Sequence, residues 1–234
     1  MTTYGNETVK SIQKWSPSAH VAVLMRHSER PQIHSVRGND ELPLTPSGVE
    51  AAMEFGRGLT SCVLLRTFSS PALRCRQTAN AIAEGAASIG INTKNLGVHP
   101  ELGGFFIVNR DQALDKADEL EALRGTPTFS NFVRFWFSGE IPEDVVQPME
   151  LAVYNQLGFL KEHLRTERRP GVVDIHVSHD WNVMLLREGI FGVRMEEVGI
   201  PQYLDGVLVF HKNGKLHASY REALKPVPPK FIHR

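Results

Sequence analysis

The stretch His20-Val-Ala-Val-Leu-Met-Arg-His27 decides how the rest of the chain is read. Its apolar run, Val21 to Met25, has the length and β-branched content of a strand buried on both faces, as strands of a parallel sheet are. It stops abruptly at Arg26-His27. After a polar loop, Thr45-Pro46 reads as an N-cap with proline at the first helical position, opening a helix through about Leu59. Leu64 to Phe68 reads as a second strand. Ser70-Pro71 repeats the cap-plus-proline device and predicts a helix through about Ala87, with Arg74 in its first turn. The pattern returns at Val172 to Val177, another buried strand, which stops at Ser178-His179-Asp180. Strand and helix alternation of this kind predicts an α/β fold, a mostly parallel central sheet flanked by helices on both faces.

Between about residues 103 and 168 the pattern is helical, with segments near Asp111 to Leu123, Thr128 to Phe137 and Glu143 to Leu164 and no convincing strand. We read it as a helical cap inserted into a single domain spanning residues 1–234. Asp205 to Phe210 and Leu216 to Tyr220 read as a hairpin whose Asn213-Gly214 pair suits turn positions with φ > 0. The tail with Pro226, Pro228 and Pro229 reads as irregular.

Composition narrows the function classes. Lys plus Arg and Asp plus Glu balance at 26 each, so overall charge favours neither nucleic acid nor an anionic membrane as partner. Any anion binding must be local. The polar opening, Met1 to Ser18, lacks the apolar run of a secretory signal, and no stretch approaches the roughly 20 apolar residues of a membrane span. The expected location is cytoplasmic. Cys62 and Cys75 are too few for a disulfide framework or a zinc site and read as reduced packing residues. No pattern fixes the oligomeric state.

In an open parallel sheet, ligands bind beyond the carboxyl ends of the strands. Three strands end there with Arg26-His27, with the helix carrying Arg74, and with His179-Asp180. Guanidinium forks match phosphate oxygens in pairs, and a helix N-terminus adds backbone donors, so this set predicts a phosphate pocket. His27 is the candidate nucleophile, since a neutral imidazole offers a lone pair and neighbouring arginines oppose its protonation. The leaving group needs a proton from a carboxylic acid, either Asp180 or Glu101. No H-x-x-x-H or C-x-x-C spacing occurs among these residues, so neither a metal nor a cofactor is expected. Singly, each residue has a structural reading: a hydrogen-bonded histidine at a strand end, a surface arginine, an aspartate capping a helix. Their joint occurrence at the ends of strands of one sheet favours catalysis.

At these residues the chain resembles the histidine phosphatase superfamily, which includes cofactor-dependent phosphoglycerate mutases and histidine acid phosphatases. Arg26-His27-Ser28-Glu29-Arg30-Pro31 is similar to the pattern R-H-G-x-R-x-P, with Ser28 replacing glycine. Leu44-Thr45-Pro46-Ser47-Gly48 resembles L-T-x-x-G. Ser69-Ser70-Pro71-Ala72-Leu73-Arg74-Cys75-Arg76-Gln77-Thr78-Ala79 is similar to S-S-P-L-x-R-A-x-Q-T-A, which singles out Arg74 over Arg76, and Val177-Ser178-His179-Asp180 resembles the closing His-Asp pair of the acid phosphatases. The resemblance implies a phosphoglycerate mutase-like fold, a phosphohistidine at His27, and phosphate held by Arg26, Arg30, Arg74 and His179. Asp180 is the favoured acid because it directly follows a pocket histidine. Glu101, in His99-Pro100-Glu101-Leu102-Gly103, stands about where many small members carry a catalytic glutamate.

The expected activity is hydrolysis of a phosphomonoester, on a phosphorylated small molecule or a phosphoprotein. The alternatives are a phosphoglycerate mutase-type phosphotransferase, against which the insertion's lack of suitable basic residues speaks, and a non-catalytic module binding phosphorylated ligands. Phe105, Phe106, Phe129, Phe132, Phe135, Trp136 and Phe137 are mostly explained by packing within the insertion. Glu29, His34 and Arg37, in the loop after His27, either touch substrate or are solvated.

Overall fold

The computed structural model describes residues 4–32, 40–124, 130–166 and 169–233. Four strands, β1 (Val21–Arg26), β2 (Leu64–Ser69), β3 (Asn92–Val98) and β4 (Val172–Ser178), run parallel. Three more, β5 (Gly206–Lys212), β6 (Lys215–Tyr220) and β7 (Ala223–Pro226), continue the sheet antiparallel from β1. The order β3-β2-β4-β1-β5-β6-β7 makes a mixed sheet with the parallel strands on one side, three of them expected and β3 not.

The eight described α-helices are α1 (Asn6–Trp15), α2 (Pro46–Arg57), α3 (Leu73–Ser88), α4 (Arg110–Arg124), α5 (Ser130–Phe137), α6 (Met149–Thr166), α7 (Asp180–Leu186) and α8 (Met195–Val198). Alternate residues of β1 feed two separate cores because successive side chains of a strand point to opposite faces. Val21, Val23 and Met25 pack with residues of α1, α2 and α3, while Ala22 and Leu24 pack with α6 and α7. All five are fully buried, which is why β1 has no polar face. Burial of apolar surface on both sides is the main force fixing the strand register.

Residues 103–168 contain the three expected helices, but the helices are not alike. Ala152, Val153, Leu157, Leu160 and Leu164 bring α6 into the same core as Ala22 and Leu24. Helix α6 begins at Met149, six residues later than the periodicity predicts; Pro148 immediately precedes it, and Val146 is bridged to Ile107. Phe106, Phe132 and Trp136 are fully buried, with Phe106 stacked on Trp136 at 4.1 Å, so packing accounts for them. Phe129 lies outside the described residues.

The hairpin turn is as expected, with Asn213 and Gly214 at φ 50° and 75°. Two expectations are corrected. The proline-containing tail is not wholly irregular, since Ala223–Pro226 forms an edge strand, where a proline without an N–H is tolerated. The second helix does not start at a serine cap. It begins at Leu73 behind Ala72, which makes no side-chain cap. The Thr45 cap is as read, its hydroxyl accepting from the Gly48 N–H at 2.9 Å with Pro46 in the first turn.

Candidate active site

The carboxyl ends of β1, β2 and β4 meet, as parallel neighbours must. The His27 N–H donates to the Ser178 carbonyl at 3.0 Å, so the first residue beyond β1 is stitched to the last of β4. Helix α3 is fastened to the same turn. The Ser28 N–H donates to Thr78 Oγ1 at 3.0 Å, and that hydroxyl in turn donates to the Arg74 carbonyl at 2.7 Å. Helix α2 approaches from the other side through Gly48, where a Cβ would collide with the Glu29 backbone.

The hydrogen bonds fix the protonation of His27. Its Nδ1 lies 2.7 Å from the Ser28 carbonyl, which can only accept, so Nδ1 carries the proton. Nε2 therefore holds the lone pair, and it accepts from Arg74 Nε at 3.2 Å. The same guanidinium places Nη2 3.3 Å from His179 Nδ1. His179 then has its proton on Nε2, which faces the Ser70 hydroxyl at 3.0 Å. Both rings are buried, with centroids 5.7 Å apart.

Burial, helped by His179, Arg74 and Arg26, pushes the His27 pKa well below the ordinary imidazole value. His179 is pushed down to about 3, first by burial and then by Arg74, against the opposing pull of Asp180. Both histidines are neutral at pH 7.

Arg26 lies across the mouth of this group. Its Nη1 donates to the Pro201 carbonyl at 2.6 Å and its Nη2 pairs with Asp180 Oδ2 at 3.2 Å. Asp180 opens α7, where its Oδ1 accepts the Trp181 N–H at 2.9 Å. Burial alone would raise the Asp180 pKa, but Arg26, His179 and that N–H outweigh it and hold the carboxyl below the usual range. Arg30 is half-buried, and burial with Arg74 and Arg26 nearby lowers its pKa despite the pull of Tyr203 and Asp180. Six of the seven expected site residues thus share one region.

The seventh, Glu101, sits exposed in the short helical turn Pro100–Leu102. That turn borders the site, since the Leu102 carbonyl accepts from Ser178 Oγ at 2.7 Å. Glu29 holds the α2 entry, accepting from the Thr45 and Ser47 hydroxyls. His34 and Arg37 lie outside the described residues. Among the described residues no group of three or more His, Cys, Asp or Glu is placed to hold a metal ion, and no helix is long and apolar enough to cross a membrane. Cys62 and Cys75 are free and buried.

Three residues were missed by sequence reasoning. Ser70, read as a helix cap, faces His179 while also accepting the Ala72 N–H at 3.4 Å; Thr78 ties α3 to the His27 turn; Tyr203 lies against Arg26. Ser70 and Thr78 stood within a recognised motif, which was a usable signal. Tyr203 had none.

The architecture is that of the phosphoglycerate mutase-like α/β proteins. A phosphoglycerate mutase from Bacillus anthracis superposes with a TM-score of 0.58 at 16% identity, covering 88% of this chain and 93% of that one. A mycobacterial glucosyl-3-phosphoglycerate phosphatase gives 0.55 at 13% identity over 88% and 99% of the two chains. A phosphoserine phosphatase mutant from Entamoeba histolytica gives 0.51 at 14% over 87% and 97%. Residues 22–96 match the family described as Histidine phosphatase superfamily (branch 1). That stretch contains Arg26, His27, Arg30 and Arg74, while His179 and Asp180 lie beyond it. No curated protein matches the sequence.

Proposed function

We propose that this chain is a phosphomonoester hydrolase of the histidine phosphatase type that works through a phosphohistidine at His27. The observation that carries the reading is the His27 Nε2 lone pair, fixed by the Nδ1 contact to Ser28 and facing Arg74. A nucleophile needs that lone pair, and the phosphate it attacks needs the guanidinium beside it. Arg26, Arg30, Arg74 and His179 hold the phosphoryl oxygens. A phosphate dianion between Arg74 and the two rings takes over the Arg74 donors and, by its charge, favours a protonated His179 that donates to it.

Nε2 forms the N–P bond as the bond from phosphorus to the leaving oxygen breaks, and that oxygen takes a proton from Asp180. Water then attacks phosphorus and returns a proton to the same carboxylate, the N–P bond breaks, and His27 and inorganic phosphate are released. Asp180 is held ionised chiefly by Arg26. Bound phosphate competes with Asp180 for the Arg26 donors, which weakens that pair and so lets Asp180 take up the proton it donates.

The test is release of nitrophenolate from p-nitrophenyl phosphate between pH 4 and 8 in EDTA, with trapping of an acid-labile phosphoenzyme. Wild type is expected to turn over and His27→Ala to do neither. Asp180→Asn should slow alkyl phosphates more than the nitrophenyl ester, whose leaving group needs no proton; if Glu101→Gln alone has that effect, the acid is Glu101. Phosphate binding without turnover or phosphoenzyme would overturn the hydrolase in favour of a binding module, and transfer only to a second substrate hydroxyl would favour the mutase.

A further inference from the structure

The segment Gly199 to Asp205 is held against Arg26 at unusual backbone cost. Leu204 is fully buried with φ 61°, a region that bulky side chains rarely adopt and that persists only where the surroundings impose it. The constraints are visible. Leu204 N–H donates to the Arg26 carbonyl at 3.2 Å and Arg26 N–H to the Asp205 carbonyl at 3.0 Å. Behind the segment, buried Arg187 donates to the Gly199 carbonyl at 2.9 Å, and Tyr220 donates to Asp205 Oδ2 at 2.8 Å.

The result of this bracing is the placement of one ring. The Arg26 guanidinium carbon stands 4.4 Å from the centroid of Tyr203, whose ring is itself 5.9 Å from that of His27 and is backed edge-on by Tyr4 at 5.4 Å. All five N–H bonds of a guanidinium lie in its plane, so an aromatic face holds the group without using any of them. Pro201 and Asp180 take one donor each from the two terminal nitrogens, while Nε has no hydrogen-bond partner among the described residues.

We propose that Tyr203 is a positioning residue for the phosphate pocket: its ring face fixes the Arg26 fork while leaving the in-plane donors available to a phosphoryl group. The hydroxyl is dispensable in this role and the aromatic face is not. The proposal rests on the phosphate reading of the pocket, so its test measures binding of inorganic phosphate by calorimetry, which requires no turnover.

Tyr203→Phe should bind phosphate within about twofold of wild type, whereas Tyr203→Leu and Tyr203→Ala should bind about tenfold more weakly. Leucine preserves bulk without a π face, so it serves if the alanine variant fails to fold, and thermal midpoints identify that case. In turnover the Leu variant should show a raised KM for p-nitrophenyl phosphate, restored by Phe. Equal affinity of the Leu variant and wild type would overturn the proposal, as would an equal loss in the Phe and Leu variants, which would assign the role to the hydroxyl. If wild type itself does not bind phosphate, the pocket reading falls and this proposal with it.

Discussion

The same three strands carry two groups of arginine, histidine and aspartate, separated by about 13 Å along β4, and the two groups are bonded on opposite rules. Near the strand starts, Asp174 is fully buried and takes both Arg66 Nε and Nη2 at 2.6 Å, with His20 Nε2 at 2.9 Å. Arg66 also donates to Thr166 Oγ1 at 2.9 Å and to the His163 carbonyl at 3.1 Å. Near the strand ends, Arg74 reaches the neutral ring nitrogens of His27 and His179, and Arg26 shares its fork between a carbonyl and a partly exposed carboxylate. The first group cancels its own charge and locks β2, β4 and α6 together. The second joins two arginines to two neutral histidines and a carboxylate that is a third exposed.

The largest expected effects separate the two groups by what is lost. Asp174→Ala strands a buried guanidinium and should cost about 3–5 kcal/mol, read from the denaturant midpoint. The double variant Arg66→Met with Asp174→Leu should be less damaging than either change alone, because no charge is left unpaired. His27→Ala should abolish phosphoenzyme formation while changing stability by about 2 kcal/mol or less. Comparable stability losses in Asp174→Ala and His27→Ala would erase the distinction between a structural and a functional group.

A middle-sized effect lies in the acid range. His176, stacked on Phe68 at 4.4 Å, is driven down to about 3 by burial despite the opposing pull of Asp174, and His179 lies near the same value. Below about 6.5 the unfolded chain takes up protons that these folded histidines refuse, so stability falls as pH drops from 6.5 toward 3. Asp174 also has a lowered pKa, with hydrogen bonds from His20 and Arg66 outweighing the burial that would raise it. Its stabilisation is intact above the ordinary aspartate value and is lost only as pH falls through the lower folded one. The two contributions therefore occupy different windows. His176→Phe should flatten the loss between pH 6.5 and 4 by up to about 1.4 kcal/mol per pH unit, measured as denaturation midpoint against pH. An unchanged slope would mean that His176 is not a group that resists protonation.

Strand β1 was legible as a short apolar run ending in charge, and β2 and β4 as short runs of mostly apolar, β-branched or aromatic residues that are buried throughout. Strand β3 was not. Asn92-Thr-Lys-Asn-Leu-Gly-Val98 lies at the sheet edge with most residues exposed, so no apolar period marks it. The Ser70 hydroxyl was misread for a different reason. Ser-Pro is a good local start signal, but the helix begins two residues after the proline and the hydroxyl turns to His179, a contact set by β4 and not by nearby sequence. Tyr203 is the extreme case, since its relation to Arg26 spans 177 positions and arises from a loop conformation that no local pattern encodes. The gathering of histidines and arginines at strand ends could be read from residue type, whereas the residues packed around them from distant loops could not.

The smallest effect concerns Ser28, which sits next to the nucleophile yet is bonded like the structural group. Its side chain is fully buried, and its hydroxyl donates to the Gly48 carbonyl at 2.7 Å, toward the start of α2, while His27 Nε2 faces Arg74. Ser28→Ala should cost about 1 kcal/mol, the worth of a buried neutral hydrogen bond whose acceptor is left without its partner. Ser28→Gly should cost slightly more because the unfolded chain gains freedom. Neither should change kcat for p-nitrophenyl phosphate by more than about twofold, since the hydroxyl is directed into the fold. A tenfold fall in kcat at unchanged stability would place the Ser28 hydroxyl with the group that acts, and would move the boundary between the two regions inward by one residue.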